Sequence, residues 1–270
     1  MNPVRIGWLS WLFVLILCGT GFAQNAGVES AAAEQELFRL MNQERGQHGV
    51  PALQWNEWLA QAARKHAQEM AHHGQLSHQF SGEPGLRDRI AATSLRFNAS
   101  GENVALGAVP GEINDEWMGS PGHRANILDP QYNAVGVAVV RHGEQLYAVA
   151  DFAHSVPNLS ASELEDAAAT AINQLRMQSK LPPLIRRQDP ELRRDACEMA
   201  NNDHLNTNAL LGRPNVSASL AFTDSDPANF ISHFDEVSNV KTSRAFAVGA
   251  CFARTKTYPE GTNWIVVAFY

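Results

Sequence analysis

The chain has 270 residues, of which 44% are hydrophobic and 18% are charged. This balance is typical of globular proteins, and the length accommodates two domains better than one. The net charge is −7 and no run of Lys or Arg stands out. These features argue against a nucleic-acid partner, because phosphate binding needs a clustered basic surface.

The first 23 residues have the features of a signal peptide. Arg5 precedes an apolar run from Gly7 to Leu17, and Gly21-Phe22-Ala23 resembles a small-residue cleavage site. The apolar run is shorter than the roughly 20 residues that a membrane-spanning helix needs. We therefore expect removal of residues 1–23, a secreted or periplasmic location, and no transmembrane helix in the mature chain. A retained anchor and a lipoprotein modified at Cys18 are the alternatives.

Two amphipathic helices are predicted next. The first begins near Ala31 and ends at Gly46, and the second runs from about Asn56 to His73 and ends at Gly74. In both segments, apolar residues recur at helical spacing, so each helix should bury one face.

The following region is predicted to be poorer in regular structure. Residues 75–110 are expected to be mostly irregular, apart from a short helix over 86–92. Pro110 suits the first turn of a further helix. Two β-rich runs, 134–140 and 145–152, are joined by four residues that include a glycine, which is typical of a hairpin.

The second half of the chain resembles a degenerate copy of the first. The matching segments, in chain order, are 42–45 with 173–176, 51–53 with 182–184, 69–71 with 198–200, 134–137 with 247–250, and 146–152 with 264–269. Segments that recur in one order and at similar spacing predict two tandem copies of one fold. We place a linker at residues 155–162 and the second copy at 163–270.

The ionisable residues of the first half are not repeated in the second. A gap-free alignment of the two Ala-Val-Gly runs places Glu236 opposite His123. The tripeptide Gly101-Glu102-Asn103 falls opposite Leu220-Ala221-Phe222 or nearby. This pattern assigns any chemistry to the first copy and a structural or binding role to the second.

Three motifs of the first half are candidates for that chemistry. They are Leu76-Ser77-His78, Gly101-Glu102-Asn103-Val104-Ala105, and the run from Trp117 to Leu128 that contains Ser120-Pro121-Gly122-His123-Arg124. Each motif is weak on its own, because a lone histidine is usually a structural or surface residue.

In this order and context, the motifs resemble the bacterial branch of the CAP superfamily (SCP domain). Its relatives include cysteine-rich secretory proteins, venom allergens and plant pathogenesis-related proteins. The resemblance covers about residues 33–154 well and 165–270 poorly, so we expect a CAP domain over 31–154. It implies an α+β fold: an α/β/α three-layer sandwich with a small, mainly antiparallel sheet, here duplicated in tandem.

The resemblance also implies a cleft with two histidines and two acids, which often binds a divalent metal. His78 and His123 correspond to the histidines, and Glu102 corresponds to the first acid. Ser120 occupies the place of the second acid in the eukaryotic branch, and Glu116 lies nearby. The predicted ligand-binding cleft is therefore His78, Glu102, His123 and Ser120.

Two readings of this cleft stay open. In one, His78, His123 and Glu102 bind zinc or another divalent metal weakly, with Glu102 either coordinating the ion or orienting a histidine. In the other, no metal binds, and His78 and Glu102 brace the cleft through a hydrogen bond. His66 on the second helix and the two serines, Ser77 and Ser120, are better explained as structural residues.

Three functions are compatible with this sequence. The first is a binding module for a small molecule, lipid, glycan or peptide of the envelope or extracellular space. The second is a metal-assisted hydrolase or peptidase with Glu102 as its base. The third is a non-catalytic scaffold. The sequence defines neither the ligand nor the oligomeric state.

Two cysteines follow the expected signal peptide, Cys197 and Cys251. In an oxidising compartment they are expected to form a disulfide, and two buried free thiols are the alternative.

Overall fold

A computed structural model describes residues 20–234 and 243–270 of the chain. The expected signal peptide therefore lies mostly outside the described residues, as does Glu236. Within the described part, no helix is both long and apolar enough to cross a membrane.

The first unit of the structure runs from α1 to β4. Its elements are α1 (Thr20–Gln47), β1 (Gln54–Trp55), α2 (Glu57–His73), α3 (Leu86–Ala91), β2 (Phe97–Gly107), α4 (Pro110–Gly119), α5 (Pro121–Leu128), β3 (Ala134–His142) and β4 (Gln145–Ser155). The predicted helices and the β3–β4 hairpin are all present.

Two expectations for the first unit were wrong. α1 begins at Thr20 rather than near Ala31, and the added segment contains no proline that would stop the helix. The region expected to be irregular contains an 11-residue strand, β2. Its first half is polar and lacks the apolar alternation by which strands are recognised.

The second unit runs from α6 to β8. Its elements are α6 (Ala161–Gln178), β5 (Ile185–Arg186), α7 (Pro190–Asn201), α8 (Asn208–Leu211), β6 (Ala218–Asp224), a 3₁₀ helix (Pro227–Phe234), β7 (Ala245–Ala253) and β8 (Thr262–Phe269).

Each unit contains a four-stranded sheet, and the two sheets have equivalent strand orders: β1-β3-β4-β2 and β5-β7-β8-β6. Only the short first strand of each sheet pairs in parallel; the other pairs are antiparallel. The mainly antiparallel sheet expected from the sequence is therefore confirmed.

Helices cover both faces of the first sheet. On one face, Leu37 and Met41 of α1 and Trp117 of α4 pack against Val135 and Val137 of β3. The other face carries α2, whose Ala63, Ala67 and Met70 pack against side chains of β2, β3 and β4. In the second unit, α6 and α7 belong to separate cores that include residues of β7 and β8. The first unit is thus an α/β/α sandwich, as predicted.

The same hydrogen bonds recur in both units. The Asn42 side chain donates to the carbonyl of Leu53 at 3.1 Å and accepts from its N–H at 2.7 Å. Asn173 makes the same two bonds with Leu184, at 3.2 Å and 2.9 Å. These paired bonds, each joining a helix to the chain 11 residues later, support the expectation of a repeated unit.

A second contact also recurs in both units. Glu34 of α1 accepts hydrogen bonds from Arg64 and from the N–H of Val139. In the second unit, Glu165 of α6 accepts from Arg193 and from the N–H of Ala250.

Val139 of β3 is therefore equivalent to Ala250 of β7. The strand pairing agrees. The first residue of β1 pairs with Ala134 of β3, and the first residue of β5 pairs with Ala245 of β7. These contacts differ by two residues from the alignment of the Ala-Val-Gly runs. The contacts with the second helix of each unit agree with that alignment, because a Cβ at Gly136 would meet Leu59 and one at Gly249 would meet Leu192.

A disulfide joins Cys197 of α7 to Cys251 of β7, with an S–S distance of 2.08 Å and a sequence separation of 54 residues. The predicted bridge is confirmed.

We predict that replacing both cysteines with serine destabilises the protein by about 2–4 kcal/mol, because the bridge restricts the unfolded chain. Urea unfolding of the full chain measures the loss. Wild-type protein under reducing conditions is the matched control and should show a similar shift. Unchanged unfolding in both samples would contradict the prediction.

Candidate functional site

The cleft is organised around a hydrogen bond between His78 and Glu102. His78 lies in the segment between α2 and α3, and its Nδ1 is 2.8 Å from Glu102 Oε1 on β2. The Glu102 side chain is only 4% exposed, whereas that of His78 is 61% exposed. A buried carboxylate therefore holds an imidazole that projects into solvent. The other ring nitrogen of His78, Nε2, has no described partner.

Arg89 of α3 occupies the other carboxylate oxygen. Its Nη2 contacts Glu102 Oε2 in an ion pair, and both side chains are buried. Nη1 also donates to the backbone carbonyls of Pro84 at 3.2 Å and His78 at 3.4 Å. Arg89 thus neutralises Glu102 and ties down the His78 segment. The sequence prediction missed this residue, because nothing in the local pattern distinguishes Arg89 from the exposed Arg87.

Two asparagines bring His123 to the same strand. Asn103 Nδ2 donates to the carbonyl of His123 at 3.0 Å. Asn126, one turn further along α5, donates to the carbonyl of Glu102 at 3.2 Å and to Asn103 Oδ1 at 2.9 Å. The three motifs singled out from the sequence therefore meet in space.

Gly101 allows this approach. A Cβ at Gly101 would lie 2.6 Å from the hydroxyl of Tyr132 and 2.9 Å from Asn126 Oδ1. Any side chain there would push α5 away from β2. The glycine of the Gly-Glu-Asn motif is therefore needed for close packing.

The two imidazoles differ electrostatically. The hydrogen bond to Glu102 raises the pKa of His78. Burial, and secondarily the charge of His78, lower the pKa of His123, while Glu116 acts in the opposite direction. The Nδ1 atom of His123 is buried and has no hydrogen-bond partner in the described part of the chain. The cleft thus pairs a histidine that gains its proton readily with one that tends to stay neutral.

A second carboxyl group, Asp151, lies beneath the cleft. It is fully buried on β4 and pairs directly with Glu102 on one side and Gly136 on the other. Neither carboxyl oxygen has a hydrogen-bond partner among the described residues. Burial, followed by the negative charge of Glu102, raises the pKa of Asp151 well above its ordinary value. The sequence offered one signal for it, a lone acid within the apolar run 146–152.

Another hydrogen-bonded pair anchors the segment that carries His78. His66 of α2 is fully buried, and its Nδ1 lies 2.7 Å from Glu83 Oε1. Its Nε2 lies 2.7 Å from the carbonyl of Ser77. Because a carbonyl can only accept, Nε2 carries a proton. His66 is a structural residue, as expected, and its partner Glu83 was not foreseen.

The two candidate serines do not take part in a catalytic arrangement within the described residues. Ser77 Oγ donates to the carbonyl of Gln79 at 2.8 Å and accepts from its N–H at 3.2 Å. Ser120 lies at the junction of α4 and α5 and caps neither helix through its side chain. Arg124 is exposed and donates to His48 at 3.1 Å.

The donor set does not fit a firmly bound metal. In the part of the chain that the structure describes, no group of three or more His, Cys, Asp or Glu side chains is arranged to hold an ion. Both oxygens of Glu102 are already engaged, by Arg89 and His78. Two imidazoles are left, fewer than the three protein ligands typical of a catalytic zinc site. Glu102 therefore acts as an orienting group.

Residues 38–152 match the sequence model of the Cysteine-rich secretory protein family, CAP. The chain is 33% identical over 125 residues to the uncharacterized protein YkwD of Bacillus subtilis, covering 46% of this chain and 49% of that protein. It is also 33% identical over 110 residues to the uncharacterized membrane protein YlbC of the same organism, covering 40% and 32%. The chain spans about half or less of the length of these curated relatives.

Two solved structures are similar to parts of this chain. An extracellular protein containing a SCP domain from Bacillus anthracis is 26% identical, with coverage of 50% of this chain and 44% of that chain and a TM-score of 0.45. Na-ASP-1 is 9% identical, with coverage of 88% of this chain and 89% of that chain and a TM-score of 0.50. At that identity the likeness concerns the fold alone, and its extent includes parts of both units.

We predict that Glu102→Gln lowers the pKa of His78, because the hydrogen bond to the carboxylate is the main cause of its elevation. NMR titration of the histidine ring protons measures this change. The matched control is Glu116→Gln, which should lower the pKa of His123 further and leave that of His78 unchanged. An unaltered His78 titration in Glu102→Gln would contradict the assignment.

We predict that the Asp151→Asn variant loses less stability than wild type as the pH rises. The folded-state pKa of Asp151 is raised, so the unfolded chain releases this proton first as the pH increases from about 4. Unfolding is therefore favoured progressively until the folded-state pKa is reached. Urea unfolding between pH 4 and 8 measures the slope.

The substituted asparagine does not ionise, so this variant should gain stability relative to wild type as the pH rises. Asp115→Asn, at an exposed site on α4, is the control. Parallel pH profiles of wild type and Asp151→Asn would refute the prediction.

Proposed function

Because residues 38–152 form a CAP domain, we propose that its cleft is a non-catalytic binding site for an anionic group of an envelope or extracellular ligand. The ligand class is a small molecule, lipid, glycan or peptide that carries a carboxylate or phosphate. The contact residues are His78 and His123, with Glu102 and Arg89 supporting them from below.

The observation that carries this proposal is the way in which His78 is held. Glu102 occupies Nδ1 and favours the protonated ring, and in the protonated ring the exposed Nε2–H is a charged donor. Hydrogen bonds to a charged group are stronger than those between neutral groups. His123 adds a second, neutral imidazole, whose tautomer can adapt to the ligand.

The geometry supports binding better than hydrolysis. A general base must have a free oxygen within reach of the water or substrate proton. Glu102 is poorly placed for this role, because Arg89 and His78 each contact one of its oxygens and the carboxylate is buried. Neither Ser77 nor Ser120 is hydrogen-bonded to a histidine within the described residues. A hydrolase or peptidase is therefore the less favoured function.

The proposal is compatible with weak binding of zinc by the same two histidines. Two imidazoles can hold a divalent ion weakly, with water completing the coordination. Such an ion would exchange readily, and Glu102 would orient His78 as it does without metal.

The disulfide supports an exported location. Bridges of this kind persist in oxidising compartments and are rare in the cytosol. The Cys197–Cys251 bridge lies outside the cleft, between a helix and a strand, which favours a structural bridge over a redox site. We therefore propose that the chain functions outside the cytoplasm, secreted or in the periplasm.

We predict that the full chain binds at least one of three anionic probes: inorganic phosphate, a soluble muropeptide, or monomeric lysophosphatidylglycerol. NMR titration of the histidine ring signals detects the contact. Replacing His78 or His123 with alanine should weaken binding by roughly tenfold or more, the usual cost of losing a hydrogen bond to a charged group. Binding should also weaken as the pH rises through the elevated pKa of His78.

His142→Ala, at an exposed position at the end of β3, is the control and should bind like wild type. Mass spectrometry of the muropeptide and the lipid after incubation tests for turnover. Cleavage that disappears in Glu102→Gln would favour the hydrolase. Binding that is equal in wild type and in the double histidine variant would remove the cleft from consideration.

A further inference from the structure

Most of the polar contacts between the two units involve one segment of the first; the contact of His154 on β4 with Asp226, at 3.8 Å, lies outside it. Arg87 Nε pairs with Glu260 Oε1 at 2.7 Å. Arg254 Nη2 lies 3.4 Å from the carbonyl of Thr93 and 3.5 Å from that of Leu95. All three positions on the first unit fall between α3 and the start of β2, a stretch that we call the α3 segment (residues 86–97).

An aromatic contact completes this interface. The guanidinium carbon of Arg96 lies 3.7 Å from the centre of the Phe252 ring, a cation–π arrangement. Arg96 also donates to the carbonyl of Leu159, in the link between the units, at 3.0 Å. Burial lowers the pKa of Arg96, so this arginine is partly withdrawn from water at the junction.

The α3 segment also carries Arg89, the counter-ion of Glu102. α3 has only six residues and no side-chain N-cap. A helix this short has little stability of its own, so tertiary contacts must hold it. On its inner side, Ile90 and Leu95 pack against Leu59 of α2. On its outer side, the contacts come from the second unit.

We infer that the second unit is a clamp on the α3 segment, and that Phe252, Arg254 and Glu260 are positioning residues for the cleft. By fixing the segment from outside, they keep Arg89 against Glu102, and Glu102 in turn keeps the ring of His78 in place. This gives the second unit a role in binding although its own sheet lacks the acidic pair of the first.

That lack is visible in the strand register. With Val139 equivalent to Ala250, the position of Glu102 is taken by Ser219 and that of Asp151 by Ala268. The equivalent row of the second sheet therefore carries no ionisable side chain. A unit that retains the scaffold without this row fits a supporting role.

The experiment uses the full chain with Arg254→Ala and Glu260→Ala combined. Hydrogen–deuterium exchange of the α3 segment reports local opening, in particular at the amides of Arg89, Ala92 and Thr93, which donate within the segment or to Gly85. We expect exchange to be faster by about fivefold or more, as for the loss of surface-exposed polar contacts. The ring signals of His78 should also shift at constant pH.

Two further variants separate positioning from general stability. Arg254→Lys, with Glu260 intact, keeps a charged donor near the two carbonyls and should restore slow exchange. Arg244→Ala removes an exposed arginine of the second unit that makes no described side-chain contact, and it should behave like wild type. Exchange that rises equally across α2 and the α3 segment would indicate general destabilisation and overturn the inference, as would unchanged exchange with unchanged His78 signals.

Ligand affinity provides an independent arm that rests on the proposed function. If wild-type protein binds inorganic phosphate or the muropeptide, the double variant should bind it several-fold more weakly, in line with the loss of a positioned hydrogen bond. If wild type binds none of the probes, the proposed function fails, but the exchange measurement still decides whether the second unit holds the α3 segment.

Discussion

The cleft depends on one buried carboxylate. Glu102 lies almost completely out of water, and an unpaired charge there would be strongly destabilising. Arg89 compensates that charge from α3, and His78 shares it from the cleft. Because each oxygen has one partner, the carboxylate is fixed in orientation and so is the imidazole. The exposed ring is therefore preorganised by groups that a ligand never touches.

A second buried acid next to the first makes this arrangement sensitive to charge. Asp151 pairs with Glu102 across the strands and has no described partner for its oxygens. Burial, followed by the negative charge of Glu102, favours the neutral form of Asp151 and raises its pKa. Arg89 Nη1 also lies 3.7 Å from Glu83 Oε1, so this arginine is placed between two carboxylates. Glu83 pairs in turn with His66, and this pair secures the same segment.

The sequence predicted the scaffold better than it predicted the charges beneath the cleft. The spacing of apolar residues predicted α2 and the β3–β4 hairpin, because an element that buries one face repeats its apolar residues at the period of its secondary structure. The resemblance to a known family predicted that His78 and Glu102 lie in one cleft. Arg89 and Asp151 were missed, since their importance arises from which strands and helices become neighbours. β2 was missed because its polar residues pair with groups 20 or more positions away.

The two units show that this scaffold and its chemistry can be separated. Both have the paired asparagine hydrogen bonds and a buried glutamate that ties a helix to a strand, and in each unit an arginine pairs with that glutamate. Only the first keeps the acidic row, whose burial is costly unless a counter-ion is held in place. In this chain the counter-ion lies on a six-residue helix, too short to hold it unaided. A second unit packed against that helix meets this requirement, so the second unit supports the site although its own sheet carries no such charged row.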